Sequence, residues 1–286
     1  VPFDNGAVIG AYRTDILEQA GYTTADLTDI DWNRFIEIGK DVKAKTGTYM
    51  LSGQADSPDT IMMMLQSAGA SLFDEDGKPA MTDNAALKEC IDIYKTMVDE
   101  GIYLEVNKWD DYVTSITKGS VAGVINGNWI IATIQGMEDT AGKWEITNMP
   151  KLIKTPNATN YSNNGGSSWY ITSNCKNKDL AIDFLKSTFA GSVELYDKIL
   201  ASTGAIATYL PAGESEKYAE PVAYWSDQPI YKTIVDYSKL TPANNTSPYY
   251  YDGRNAIGTQ IQHIMNGADT DSAIADAQAE VEFSTQ

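Results

Sequence analysis

Three short stretches set aromatic rings beside amides and glycines. They are Asn126-Gly127-Asn128-Trp129, Asn163-Asn164-Gly165-Gly166-Ser167-Ser168-Trp169, and Tyr249-Tyr250-Tyr251-Asp252-Gly253-Arg254. An aromatic ring offers a flat apolar face, while amide, carboxylate and guanidinium groups supply donors and acceptors. That combination suits a sugar, whose C–H face stacks on a ring while its hydroxyls find partners. The chain has 17 Tyr and 6 Trp against 6 Phe, so its rings mostly carry a polar handle. Most of them still belong to the core. Trp32 lies on the apolar face of a helix, and Trp144 alternates with Ile146 on a strand.

Catalytic chemistry finds little to work with. The only histidine, His263, sits in the helical stretch GTQIQHIMNG and reads as an exposed or capping residue. No GxSxG, P-loop or GxGxxG pattern occurs. The FDEDGKP segment resembles part of a calcium loop, but Asp74-Glu75-Asp76-Gly77 lacks the later ligands and the closing glutamate, and a tight turn explains it better. No metal or cofactor is expected. A pair of carboxylates acting on a glycosidic bond stays open, because acids are abundant and a sequence does not show their separation.

The elements that would position these groups alternate between helix and strand. Helical spacing joins Trp32, Phe35, Ile36, Gly39 and Val42. It also joins Leu87, Cys90, Ile91, Tyr94, Met97 and Val98 behind a Thr82-Asp83-Asn84 cap signal. Further helices carry Leu180, Ala181, Phe184, Leu185 and Phe189 after Asn177, then Ile257, Ile261, Ile264 and Met265 before Asn266-Gly267, then Ile274, Ala277 and Val281. Residues Ile61-Met62-Met63-Met64-Leu65 are apolar on every side and should be buried. Strands are expected over 7–12, 49–51, 121–126, 144–147 and 168–172, the first after an Asp4-Asn5-Gly6 turn. The pattern implies an α/β fold. The polar stretch KTPNATNYSNNGGSS reads as a loop crossing between lobes.

Composition excludes several partners. Of 286 residues, 43% are hydrophobic and 21% charged, as in packed globular proteins. Asp and Glu outnumber Lys and Arg by 39 to 21, a net charge of −18 that disfavours nucleic acid and anionic membrane surfaces. No run reaches the roughly 18 apolar residues of a membrane span. Cys90, on an apolar helix face, and Cys175, in a polar loop, read as two free thiols.

Taken in order, several segments resemble the extracellular solute-binding proteins of carbohydrate ABC importers, the maltose-binding-protein-like type. Pro2-Phe3-Asp4-Asn5-Gly6, followed by Ala11 to Gly21, is similar to that family's central strand and helix. Asp31-Trp32 is similar to its helix start, and Gln66 to Gly77 to its helix and hairpin. Lys118 to Trp129 resembles its G-K-A-A-M-x-x-x-G-x-W segment, with Val124 in place of the Met. Gly165 to Ile171 and Asn177 to Lys186 resemble its later strand and helix.

The resemblance implies a periplasmic-binding-protein-like two-lobe fold that binds a mono- or oligosaccharide between lobes and hands it to the membrane permease. Hinge closure is then the signal, and no catalysis is needed. Residues 1–9 become the interlobe crossing strand, 10–164 and 211–286 a complete C-terminal lobe, and 165–210 a remnant of the N-terminal lobe. In the family that strand follows a first segment of roughly a hundred residues, about a small domain. The chain is therefore expected to lack this segment, and with it the export signal and any lipid anchor to the outer face of the membrane. The implied ligand-binding residues are Trp129, Asn128, Tyr250, Arg254, Asp4, Asp56, Gly165 and Gly166. For Tyr250 and Arg254 a helix-capping role competes, for Asp4 a local turn, for Asp56 an N-cap, and for the two glycines a tight turn.

Overall fold

The computed structural model describes residues 1–284. Its strands are β1 (Pro2–Arg13), β2 (Leu51–Gln54), β3 (Tyr103–Val106), β4 (Gly123–Gly127), β5 (Trp144–Thr147) and β6 (Asn163–Ser168). Around them lie α1 (Thr14–Ala20), α2 (Trp32–Thr46), α3 (Asp59–Ser67), α4 (Ala85–Asp99), α5 (Trp109–Thr117) and α6 (Ile131–Gln135). The later helices are α7 (Lys178–Ser187), α8 (Val193–Thr203), α9 (Leu210–Gly213), α10 (Ile230–Leu240), α11 (Tyr250–Met265) and α12 (Thr270–Ser284). The α/β class agrees with the alternation in the sequence. None of the described helices is long and apolar enough to cross a membrane.

β1 organises the molecule. It pairs antiparallel with β4 from Val8 to Tyr12 (Ile9 opposite Asn126) and with β5 from Gly10 to Arg13 (Ala11 opposite Ile146), so both edges are taken from Gly10 to Tyr12. From Pro2 to Ala7 it pairs with β6, with register shifts that mark an irregular ladder. Successive side chains alternate between two cores. Val8 and Tyr12 enter one, with Trp32 and Phe35 of α2, Met63 and Met64 of α3, Leu87 and Met97 of α4, and Ile257 and Ile261 of α11. Ala7, Ile9 and Ala11 enter the other, with Ile116 of α5, Trp144 of β5, Tyr196 and Leu200 of α8, and Ile230 and Ile234 of α10. Burying each large side chain stabilises the fold by about 1.5–3 kcal/mol. Residues beyond 211 thus share both cores with residues before 164.

Helix starts follow their caps. The Asp31 carboxylate accepts the Arg34 N–H at 2.9 Å, and the Asn84 side-chain oxygen accepts that of Leu87 at 3.0 Å. The segment after Phe73 is a turn: Asp74 accepts the N–H groups of Asp76 and Lys78, and Phe73 bridges Pro79. Cys90 is buried, which pushes its thiol well above the usual range, and Cys175 is half-buried; both are free.

Several expectations from sequence are corrected. Asp4-Asn5-Gly6 is strand, because β6 supplies the partners that a lone turn would lack. The reason for a glycine at position 6 is contact: a Cβ there would lie 2.6 Å from the Gly165 carbonyl carbon. The strand expected over 168–172 instead runs Asn163–Ser168, so the end of the polar loop is itself sheet. Tyr49 makes only a bridge to Val121, while Leu51–Gln54 pairs in parallel with β3, which sequence reading missed. In the methionine run Met62 is half-buried, while its neighbours are buried. α7 buries none of its residues.

Candidate functional site

β4 is buried along its length and delivers the chain to Trp129 at the strand's end. Asn126 fixes this junction. Its side-chain oxygen accepts the Gly127 N–H at 2.8 Å and the Asn164 side-chain N–H at 2.9 Å, and its own amide donates to the Tyr112 hydroxyl. The Trp129 indole N–H donates to the Asn164 carbonyl at 2.8 Å. Gly127 makes that bond possible, since a Cβ there would lie 2.3 Å from the same carbonyl oxygen. The indole is therefore held by its polar edge and remains 40% exposed. Trp109, at the start of α5, lies beside it with ring centroids 5.8 Å apart and planes at 41°.

Trp129 lines a cavity of about 600 Å³. The same cavity is lined by Asn163, Asn164, Gly165 and Gly166 of β6 and by Tyr250, Tyr251 and Arg254 from the first turns of α11. Asn244, Asn245 and Thr246, and Asp59 and Gln66 of α3, complete its lining. Gly165 and Gly166 adopt φ of +122° and +104°, a conformation that favours glycine and brings bare backbone to the cavity. Asp59 also borders a polar slot of about 30 Å³, lined by Ser57, Thr60, Trp109 and Asn126 among others, with room for one hydroxyl-sized group.

Arg254 and Asp59 form an ion pair in the lining of this cavity, and the same guanidinium nitrogen donates to the Ser57 hydroxyl at 3.2 Å. Burial raises the Tyr250 hydroxyl above its ordinary range, partly opposed by Arg254, and pushes that of Tyr112 up to about 12. Both phenols are therefore neutral donors at physiological pH. Asp59 is the one carboxylate among the residues lining this cavity. A paired-acid arrangement is not assembled here. His263 is exposed on α11, its ring nitrogen 3.1 Å from Gln260.

Five of the eight residues singled out in the sequence meet at this cavity: Trp129, Tyr250, Arg254, Gly165 and Gly166. Three do not. Asn128 is buried, and its amide donates to the Asn5 side chain at 3.0 Å, tying β4's end to β1. Asp4 accepts the Ser167 N–H at 2.7 Å within the β1–β6 ladder. Asp56 is exposed in a turn and lines a different cleft with Glu105 and Gln262; Pro58, not Asp56, precedes the first residue of α3. The cavity's acid is Asp59, an acidic residue in the first turn of α3 that sequence reading passed over. Trp109 was missed too, although an indole opening a helix beside Lys108 and Asp110 is a sign of exposure.

The sequence profile of the bacterial extracellular solute-binding proteins matches residues 1–226. The chain belongs to that family. It is 38% identical over 274 residues to a lactose-binding protein of Rhizobium radiobacter, covering 96% of this chain and 65% of that one. It is 25% identical over 195 residues to an arabinooligosaccharide-binding protein of Halalkalibacterium halodurans, covering 65% and 42%. The chain thus spans less than two thirds of the length of these relatives. Among solved structures, an extracellular solute-binding protein of family 1 superposes with a TM-score of 0.82 at 18% identity, covering all of this chain and 72% of that one. The ABC-transporter-associated binding protein of B. animalis subsp. lactis, in complex with β-1,6-galactobiose, gives 0.78 at 20% identity over the same shares. The fold is that of extracellular solute-binding proteins.

Proposed function

We propose that this solute-binding protein captures a mono- or oligosaccharide in the Trp129 cavity and delivers it to the permease of an ABC importer. The observation that carries the reading is the half-exposed indole, fixed by its N–H to Asn164 and facing a cavity walled by tyrosines, amides and one ion pair. A pyranose stacked on that face would leave its rim hydroxyls to Asn163, the Asn244-Asn245 pair, Tyr250 and Asp59. The ligands for which the two relatives are named, lactose and arabinooligosaccharide, belong to the same chemical class. The role is binding without turnover.

In this reading residues 1–9, which include the first part of β1, cross between lobes. Residues 10–164 with 211–286 form one lobe, and 165–210 belong to the other. The first core, which draws only on residues before 164 and after 211, and the unburied α7 support that division, while α8 departs from it, since Tyr196 and Leu200 share the second core. Work at the outer face of the membrane fits the family, with a lipid anchor on sequence outside these residues as the tether. Incubating the full-length protein with a mixed oligosaccharide panel tests the function. Retained sugars should be recovered unchanged in length and linkage. Shortened products, or no retained sugar, would contradict it.

A further inference from the structure

The ion pair in the cavity has a consequence for the charge of the ligand. Asp59 and Arg254 are the two charged residues among those lining the cavity, and the guanidinium is charge-paired with Asp59 through Nη2, which also donates to the Ser57 hydroxyl. The remaining lining groups are amides, phenols, a hydroxyl, an indole and backbone. The pair is partly withdrawn from water, with side-chain exposures of 25% for Arg254 and 38% for Asp59. The second carboxylate oxygen of Asp59 makes no hydrogen bond to the described residues and is free to accept from a hydroxyl.

We propose that Asp59 sets the ligand's charge class: by neutralising Arg254 it makes this a site for neutral oligosaccharides and excludes those carrying a uronate. This deepens the sugar-capture reading and rests on it. A ligand carboxylate entering here meets a guanidinium that already has an anionic partner. It must displace Asp59 or lie beside it, and each alternative leaves one carboxylate without a counter-ion in a partly dry cavity. The net charge of −18 adds repulsion during approach. A neutral sugar meets no such conflict, and its hydroxyls can donate to the free Asp59 oxygen. Removing the Asp59 charge should reverse the preference. Arg254 would then be an unpaired cation suited to bidentate capture of a ligand carboxylate.

The test compares matched ligands on the full-length protein. Lactose, β-1,6-galactobiose and maltose are each titrated beside the analogue bearing a uronate at C6 of the non-reducing ring. The wild type should bind a neutral member at least about tenfold tighter than its uronate. Asp59→Asn should shift that ratio toward the uronate by about tenfold or more, and the shift should shrink at high salt. The double variant Asp59→Asn with Arg254→Gln should lose the shift, because the freed cation is gone. A wild type that binds both members equally, or an Asp59→Asn variant that folds by thermal melt with its ratio unchanged, would overturn the assignment while sugar capture stands. Binding of none of the six would overturn sugar capture, and this assignment with it.

Discussion

Helices α4 and α7 carry the same kind of apolar face and meet different fates. In α4 the spaced residues Leu87, Cys90, Ile91, Tyr94 and Met97 are all buried in the first core. In α7, Leu180 is 71% exposed and Phe184 57%, with Trp169 and Tyr170 open nearby. The one ring beside Phe184 among the described residues is Phe189, which in turn packs on Trp169, Phe3 and the buried Tyr196 at the edge of the second core. Periodicity says which side chains share a face. It does not say what lies against that face, which depends on contacts distant in sequence. The same contrast divides β1, paired with both β4 and β5 from Gly10 to Tyr12 and with β6 alone among the named strands from Pro2 to Ala7.

The largest expected effect tests that contrast directly. In the chain of residues 1–286, Met97→Ala should cost about 2–5 kcal/mol through the cavity it leaves. Phe184→Ala should stay within about 0.5 kcal/mol, as for a surface change. Urea unfolding of both variants gives the comparison. Equal losses would mean that α7's face is covered in solution. A dye specific for apolar surface should bind this chain, and the pair Leu180→Ser with Phe184→Ser should weaken that binding.

A smaller effect is expected at the junction where β4 meets the cavity. Gly127→Ala places a methyl against the Asn164 backbone carbonyl and the indole edge, so both the β6 backbone and the ring must shift. Sugar affinity should fall by about tenfold, ~1.4 kcal/mol. A titration beside a thermal melt would show whether the loss belongs to the site or to the whole fold.

The smallest effect lies at the end of β1. Arg13 donates two hydrogen bonds to Asp15, and these hold the Asp15 carboxyl below the usual carboxylate range. A lowered folded-state pKa means stability that is present above the unfolded value and is lost as pH falls through the folded one. Asp15→Asn should therefore be less stable than wild type at neutral pH, with the gap closing in acid. The pair is about a third exposed on the Asp15 side, so the difference should be below about 1 kcal/mol. A gap independent of pH would assign it to packing instead.

Legibility followed the range of the interactions. Helix α4 was readable because its cap, Asn84, and its apolar period are local. β5 was readable at its observed bounds, since Trp144 and Ile146 alternate into the core. β6 was not, because six residues of Asn, Gly and Ser have no strand propensity of their own; they extend because β1's edge waits beside them. Trp129 was found from its neighbours, two amides and a glycine with no reason to sit in a core. Asn128 shows the limit of that signal: the same stretch sends one residue to the cavity and the next into a bond with Asn5. Asp56 and Asp59 are both acids flanking Pro58, and only the fold reveals which of them meets Arg254, 195 residues away.

Trp129 is the point on which the functional account turns. Calorimetric titration of wild type and Trp129→Ala with the best-retained sugar, each beside a thermal melt, measures its role most directly. Stacking contributes about 1 kcal/mol, and covering the ring face adds about 1.5–3 kcal/mol. Affinity should then fall by roughly ten- to a thousandfold. The melting temperature should hardly move, since the ring borders a cavity and fills no core. Unchanged affinity with a collapsed melting temperature would contradict the account and make Trp129 a packing residue.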